Sequence, residues 1–396
     1  MEQKKAKGID WIALAIVCFL NVHYFYILGK TFKIPIAAGG VGFLTGFVCF
    51  IFANLKGAYK SERKFPIMLF SNIIIFPVFT IIWYNYTQMS LLRLFTFSVF
   101  PMLLFLYDFN PKKVIDYTCY FAPLTLFIQK ALFEISGNFD QMHMGYSNAV
   151  AHLSIACMFE LAYYRKENKN KIYMNFCIAS GLFLMLRLLI QSTRGTFLTL
   201  VVAFMVVQIT NFDENGNLRK QVSKKVILAL VALIIIYNFS AIFNIVERQF
   251  EVMGVSLPSA FQKTIDAIAS DDLDHGRNEL SIFTREHIIQ RPIFGYGTQM
   301  FDYYNREFSY PHNCILQLLF ENGIVGSAYI ILNLLVGMAS TLLPRDSVGK
   351  DELLARQLIM FTSLPMLLYS DEMWIYPAFW MFLMFSYKVK KRRHTA

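Results

Sequence analysis

The chain has 396 residues, of which 56% are hydrophobic and 16% are charged. A soluble globular domain carries roughly 25% charged residues, so the composition excludes an ordinary soluble globule and points to an integral membrane protein. A net charge of +10 raises nucleic acid as a partner, and the placement of the charges along the chain excludes it.

A bilayer core is crossed by about 20 apolar helical residues. On that basis the sequence predicts twelve spans, near 9–28, 34–55, 65–84, 89–107, 114–135, 147–164, 171–190, 195–211, 226–247, 324–343, 353–369 and 372–388. The first follows the basic stretch MEQKKAKG. It is too long for the apolar core of a signal peptide and has no small-residue cleavage site, so it reads as a retained span. Pro365 and Pro377 interrupt the last two. Cytoplasmic loops of membrane proteins are enriched in Lys and Arg. With the N-terminus inside, the inner segments hold 24 Lys and Arg, and the short outer loops hold only Lys30, Lys33 and Arg194. The alternation holds at every turn and places both ends in the cytoplasm. The basic charge is therefore a topology signal and an attraction to anionic lipid.

Three regions result: 1–247 with nine spans, 248–323 as a long outer loop, and 324–396 with three spans and a basic tail. Within the loop, Phe261, Ile265 and Ile268 recur at helical spacing, as do Leu280, Phe283, Ile288 and Ile289. The loop is thus expected to be a helical cap on the outer membrane face. The two halves of the chain show no mutual repeat, which argues against an inverted-repeat transporter. Cys18, Cys49, Cys119, Cys157, Cys177 and Cys314 show no ligand spacing and read as small buried hydrophobes.

Ionisable residues at membrane depth are functional candidates. Arg93, Lys130, Glu134 and Arg187 fall toward the outer side of their spans, and Glu160 and Arg356 toward the inner side. The inner pair reads as snorkelling side chains or partners of inner-leaflet lipid. Lys130 and Glu134 are spaced for an i,i+4 pair, so Lys130 is either neutralised by its neighbour or part of an anion site. If helix continues through QSTRG, Arg187 and Arg194 lie on one face about 10 Å apart along its axis. Several arginines at the outer edge of a bilayer suit a lipid-linked diphosphate, because a guanidinium fork binds phosphate oxygens and keeps its charge. Fixed cations also stabilise the charge that such a leaving group gains in the transition state.

The outer loop adds Arg277 in HGRNE, Arg291 before the turn PIFGYG, and His312-Asn313 in SYPHNCILQLLFENGIVG. Gly323 is placed as the C-cap of the helix that follows His312. A histidine there suits removal of a proton from an attacking hydroxyl, and a helix N-terminus disfavours its charged form. Capping of the following helix is the structural alternative for His312 and Asn313. His23, His143 and His152 have no motif around them, and His275 and His287 read as solvated or structural. The run DDLDH at 271–275 reads as a solvated helix start, so neither a metal nor another cofactor is expected.

Taken together, STRG, HGRNE, PIFGYG and HN…GIVG resemble the O-antigen ligase and polymerase superfamily over about residues 180–345. The resemblance implies an all-α polytopic membrane protein of the GT-C-like glycosyltransferase type, with a large helical periplasmic or extracellular loop. It further implies a bacterial inner membrane location and catalytic roles for His312, Arg194 and Arg277. Arg187, Arg291, Asn313, Arg93 and Lys130 would bind substrate. The implied activity is a polymerase that moves glycan from undecaprenyl diphosphate to a lipid-linked repeat unit, with inversion and without a metal. The implied partners are that glycan, membrane lipids, a chain-length regulator and a flippase. A ligase acting on lipid A core or protein is the alternative, and a polysaccharide flippase or transporter the second. Gln317 departs from a Glu common at this position in comparable polymerases.

Overall fold

The computed structural model describes residues 9–33, 38–58, 74–75, 94–128, 144–165, 172–191, 194–210, 212, 248–254, 262, 265, 277–305, 307–343, 348–369 and 372–385. Helices dominate the described residues, and no strand occurs among them. We number the α-helices α1 (Trp11–Leu20), α2 (Val22–Thr31), α3 (Ala38–Leu55), α4 (Phe100–Leu103), α5 (Pro111–Tyr120), α6 (Met144–Phe159) and α7 (Ile172–Gln191). There follow α8 (Arg194–Ile209), α9 (Arg277–Gln290), α10 (Phe301–Tyr304), α11 (Cys314–Leu342), α12 (Lys350–Tyr369) and α13 (Pro377–Phe385).

The bundle is organised around α6. Every residue from Ala149 to Phe159 is buried, and a helix apolar all round belongs in an interior. It packs against α2, α5, α7, α8 and α12. All six cysteines are free and buried, as expected of small apolar fillers. In α13 every residue is buried, and Trp374 and Trp380 stack with ring centres 5.2 Å apart beside it.

Among the described residues, two helices are long and apolar enough to cross a membrane, Ile172–Leu189 and Cys314–Leu342. The expected span at 9–28 is instead a broken pair, Trp11–Leu20 and Val22–Gly29, bent by 64°. Asn21 sits at the bend. Its Nδ2 donates back to the Val17 carbonyl at 2.8 Å, and its Oδ1 lies 2.9 Å from His152 Nε2 on α6. The Val17 carbonyl also accepts the Asn21 amide at 3.0 Å, so at the bend the side chain shares that acceptor with the backbone. Shorter apolar helices over 40–55, 95–106, 149–164 and 195–208 fall within the spans expected there. Apart from residues 74 and 75, the spans expected at 65–84 and 226–247 lie outside the described residues, as does most of the SAFQKTIDAIA segment.

The inner-side charges are not turned toward lipid. Glu160 is fully buried and faces Lys112 of α5 at 3.6 Å, while Lys112 also binds Asp116 at 2.5 Å. The Tyr164 ring lies between the Lys112 and Lys350 ammonium groups, 4.3 and 4.1 Å from its centre, and its hydroxyl donates to Asp351 at 2.6 Å. Arg356 is buried and paired with Glu352 one turn earlier on α12. The snorkelling expected of Glu160 and Arg356 is therefore replaced by ion pairs, one joining α5 to the segment after α6 and one within α12, while Tyr164 links that segment to α12. Membrane proteins pair interior charges because a lone one is costly.

Removing one partner of a buried ion pair strands the other. Lys112→Met should therefore destabilise the protein by about 3 kcal/mol. Adding Glu160→Gln to it should recover part of the loss, both read by SDS titration from mixed micelles.

Candidate functional site

The site is built on a break in α11. Gly323 stands inside that helix with φ 59° and ψ −168°, a backbone conformation open to glycine at little cost. The helix up to Asn322 would leave carbonyls without partners, and the helix from Ile324 would leave amides without partners. The turn Pro292–Gly297 supplies both. Tyr296 and Gly297 donate their amides to Phe320 O at 2.8 Å and Glu321 O at 2.7 Å. On the other side of the break, Ile324 and Val325 donate to Pro292 O at 2.8 Å and Ile293 O at 3.1 Å. Thr298 Oγ1 adds a hydrogen bond to Asn322 Oδ1 at 3.0 Å.

The two backbones meet at Gly295 and Gly323. A Cβ on Gly323 would lie 2.3 Å from Ile293 O, and one on Gly295 would lie 2.6 Å from Glu321 O. These two glycines of PIFGYG and ENGIVG are thus a steric requirement of the crossing, not merely turn formers.

The loop has its own small core of Leu280, Tyr296, Met300, Phe301 and Phe320. Tyr296 stacks on Phe320 with ring centres 4.8 Å apart. His287 Nδ1 lies 2.8 Å from Phe283 O, and its ring is within 4.0 Å of the Phe283 ring centre. His287 thus has the structural role expected of it. Arg291 is exposed, with its guanidinium 4.8 Å over the Tyr296 ring, a cation–π contact that fixes the charge beside the turn. This core also packs α9 onto α11.

At the other end of the first half of α11, His312 adopts φ 52°. A residue other than glycine in the left-handed region stores strain of order 1 kcal/mol, and such strain concentrates at functional positions. His312 is half-buried, with Tyr310 and Phe308 ring centres 4.5 and 5.8 Å away. Asn313 is the N-cap, and its Oδ1 accepts from Ile315 N at 3.0 Å and Leu316 N at 3.1 Å. The oxygen that the sequence reading assigns to substrate is thus committed to the helix, and the cap holds His312 at a fixed place on the N-terminus.

A feature absent from the sequence reading lies below. Glu321 is fully buried. Its Oε1 accepts from Gln317 Nε2 at 2.8 Å and its Oε2 from Trp374 Nε1 at 2.6 Å. Gln317, one helical turn before Glu321, provides a neutral donor. Gln299, at φ 59°, donates its side-chain amide to Glu372. The turn, the first half of α11 and the 372–375 segment are therefore cross-linked by polar contacts. The available signal is an acid directly after the apolar run LLF in LQLLFENG.

The arginines are distributed over three helices. Arg187 is half-buried on α7, its guanidinium 5.9 Å from the Phe183 ring centre. Arg194 is the first residue of α8, and Arg277 is the first of α9. α7 is described to Gln191 and α8 from Arg194, residues 192 and 193 between them lie outside the described residues, and both helices pack on α6. The unit of α9, turn and α11 brings Arg277, Arg291, His312 and Asn313 onto packed elements, and α12 joins it to α8 by packing against both α8 and α11. Arg93 and Lys130 lie outside the described residues. Among those described, no three His, Cys, Asp or Glu side chains converge as metal ligands would.

Gly323→Ala should disrupt the crossing, because it adds left-handed strain of roughly 1–2 kcal/mol to a close clash. It should open the 292–325 region to limited proteolysis while leaving α1–α8 protected. Glu321→Gln turns an amide N–H toward one of two donors and should cost about 1–3 kcal/mol. Trp374 fluorescence, isolated by replacing the other tryptophans, should shift in that variant if the indole bond is lost.

Residues 178–331 match the family model described as O-Antigen ligase. No curated protein matches the chain. The matched segment runs from α7 past the break in α11, and so contains Arg187, Arg194, Arg277, Arg291, the glycine crossing and His312. Residues 178–331 are thus similar to O-antigen ligases, in the same region where the sequence resembles the O-antigen ligase and polymerase superfamily.

Proposed function

We propose that the protein is a polymerase of O-antigen or capsular polysaccharide. It transfers a growing glycan from undecaprenyl diphosphate to a hydroxyl of a lipid-linked repeat unit. In this reading twelve spans of a GT-C-like bundle cross the bacterial inner membrane, both ends are cytoplasmic, and 248–323 forms the outward catalytic region between 1–247 and 324–396. A chain-length regulator and a flippase that delivers repeat units are its expected partners.

One observation carries the reading: His312 stands in strained backbone at the start of a half-helix that the glycine crossing fixes against the arginine-bearing turn and α9. His312 accepts the proton of the acceptor hydroxyl as that oxygen attacks the anomeric carbon. The bond from that carbon to the diphosphate oxygen breaks in the same displacement, which inverts the centre. Arg187, Arg194 and Arg277 hold the departing diphosphate, with Arg93 and Lys130 as further cations on the same side. A fork of fixed cations lowers the barrier by stabilising charge as it develops. Arg291 orients the donor near the turn, and Asn313 positions His312.

The description of the matched family model favours a second reading, a ligase that moves finished glycan to lipid A core or protein. Both use the same donor chemistry and differ in the acceptor.

Purified protein, given a synthetic undecaprenyl-diphosphate glycan in EDTA, should yield a ladder in repeat-unit steps. His312→Ala should lower the rate by about 10²–10⁴, and Arg277→Lys should lower it while leaving the protein folded. A single transfer that requires lipid A core would establish the ligase instead. No transfer to any acceptor by folded protein with its host's own substrate would overturn both and favour a transporter.

A further inference from the structure

The second half of α11 begins at Ile324 and is part of a helix apolar and long enough to cross a membrane. Val325, Leu332 and Val336 are all exposed on it. Their spacing of seven and four residues puts them on one helical face. On a membrane span such a face meets lipid.

The apolar face does not stop where the span does. Val325 donates its amide to Ile293 O, and Ile324 donates to Pro292 O, so the tip of the PIFGYG turn is joined to the first residues of the span. At that tip Ile293 is 57% and Phe294 64% exposed. Gly295, one residue on, is locked against Gly323, so the two side chains are held by backbone on both sides. Burying a large apolar side chain stabilises by about 1.5–3 kcal/mol, so two left in water at a fixed position need a reason. Isolated exposed apolar residues are ordinary; a pair that extends a lipid-facing stripe is continuous with an interface already present.

We infer that Ile293 and Phe294 are a membrane anchor of the catalytic loop, inserted among the acyl chains of the leaflet that surrounds the Gly323 end of the span. This rests on the membrane reading of Cys314–Leu342 and not on which acceptor the enzyme uses. The anchor fixes the depth of the turn, and through the four crossing hydrogen bonds it fixes the depth of the break in α11. The half-helix that starts at His312 is thereby held at a set level relative to the lipid surface, where a lipid-linked substrate presents its diphosphate.

The test is spin-label accessibility in reconstituted vesicles of phosphatidylethanolamine and phosphatidylglycerol. Single labels are placed at Ile293→Cys, Phe294→Cys, Leu335→Cys and Glu307→Cys, and wild-type protein treated in parallel gives the background from its six buried cysteines. Leu335 and Glu307 are both exposed, one on the span and one in the polar loop. The expected result is an oxygen-to-nickel-chelate accessibility ratio at 293 and 294 close to that at 335 and several-fold above that at 307. A ratio like that at 307, with 335 in lipid, overturns the anchor and leaves the membrane reading intact. Labels at 293 and 294 that neither reagent reaches also overturn it, because a protein surface then covers them. Nickel access at 335 as well would overturn the membrane reading on which the anchor rests.

Discussion

Four backbone hydrogen bonds across one pair of glycines hold the functional half of this protein together. A helix broken in mid-course has unpaired carbonyls on one side and unpaired amides on the other, each costing about 1–3 kcal/mol when buried without a partner. The turn at 292–297 supplies the missing donors to one end and the missing acceptors to the other. Only residues without a Cβ allow two backbones to approach so closely, which explains why glycine stands at both 295 and 323. The break thus separates a membrane-length apolar helix from a ten-residue polar-ended one while keeping them rigidly related. The element that pairs the broken backbone is the turn that follows Arg291.

The side-chain layer beneath this crossing has the same logic. Glu321 has no exposure to water, yet both of its oxygens are engaged by donors, from Gln317 on its own helix and from Trp374 near α13. A half-satisfied buried polar network would be worse than an apolar one, so the requirement for two donors restricts where the 372–375 segment can sit. Gln299 reaches the same segment through Glu372. The loop is consequently attached to the bundle by contacts that are directional, which suits an arrangement of charges that must face a substrate at a set geometry. Packing of Tyr296, Phe301 and Phe320 supplies the apolar part of the attachment.

The sequence was informative where local chemistry decides the outcome. The apolar periodicity of RNELSIFTREHIIQ corresponds to α9 from Arg277 to Gln290, and the Asn322-Gly323 pair marks the break in α11. It was less informative where a distant partner decides. Residues 9–28 read as one uninterrupted span, but Asn21 turns back onto Val17 and meets His152, 131 residues away, so the helix bends there. Glu160 and Arg356 read as snorkelling because their partners, Lys112 and Glu352, become neighbours only after folding or hydrogen-bond locally in a way hydropathy does not register. Glu321 was passed over because its second donor lies 53 residues further along the chain.

That pattern bears on where specificity in this enzyme type resides. Under the proposed function a donor diphosphate calls for several fixed positive charges, and the arginines at the starts of α8 and α9 and along α7 are the candidates to supply them. Such positions follow from local motifs, and they serve any acceptor equally. In the same reading, acceptor choice would depend on what shape surrounds His312. His312 is flanked by Tyr310 and Phe308 and sits on a half-helix whose orientation is set by the crossing and by the Glu321 network. A small rotation of that half-helix would move the histidine without moving the arginines on α7 and α8. In the proposed reading one donor site would serve both a polymerase and a ligase, with the orientation of a short helix, and not the arginines, separating them.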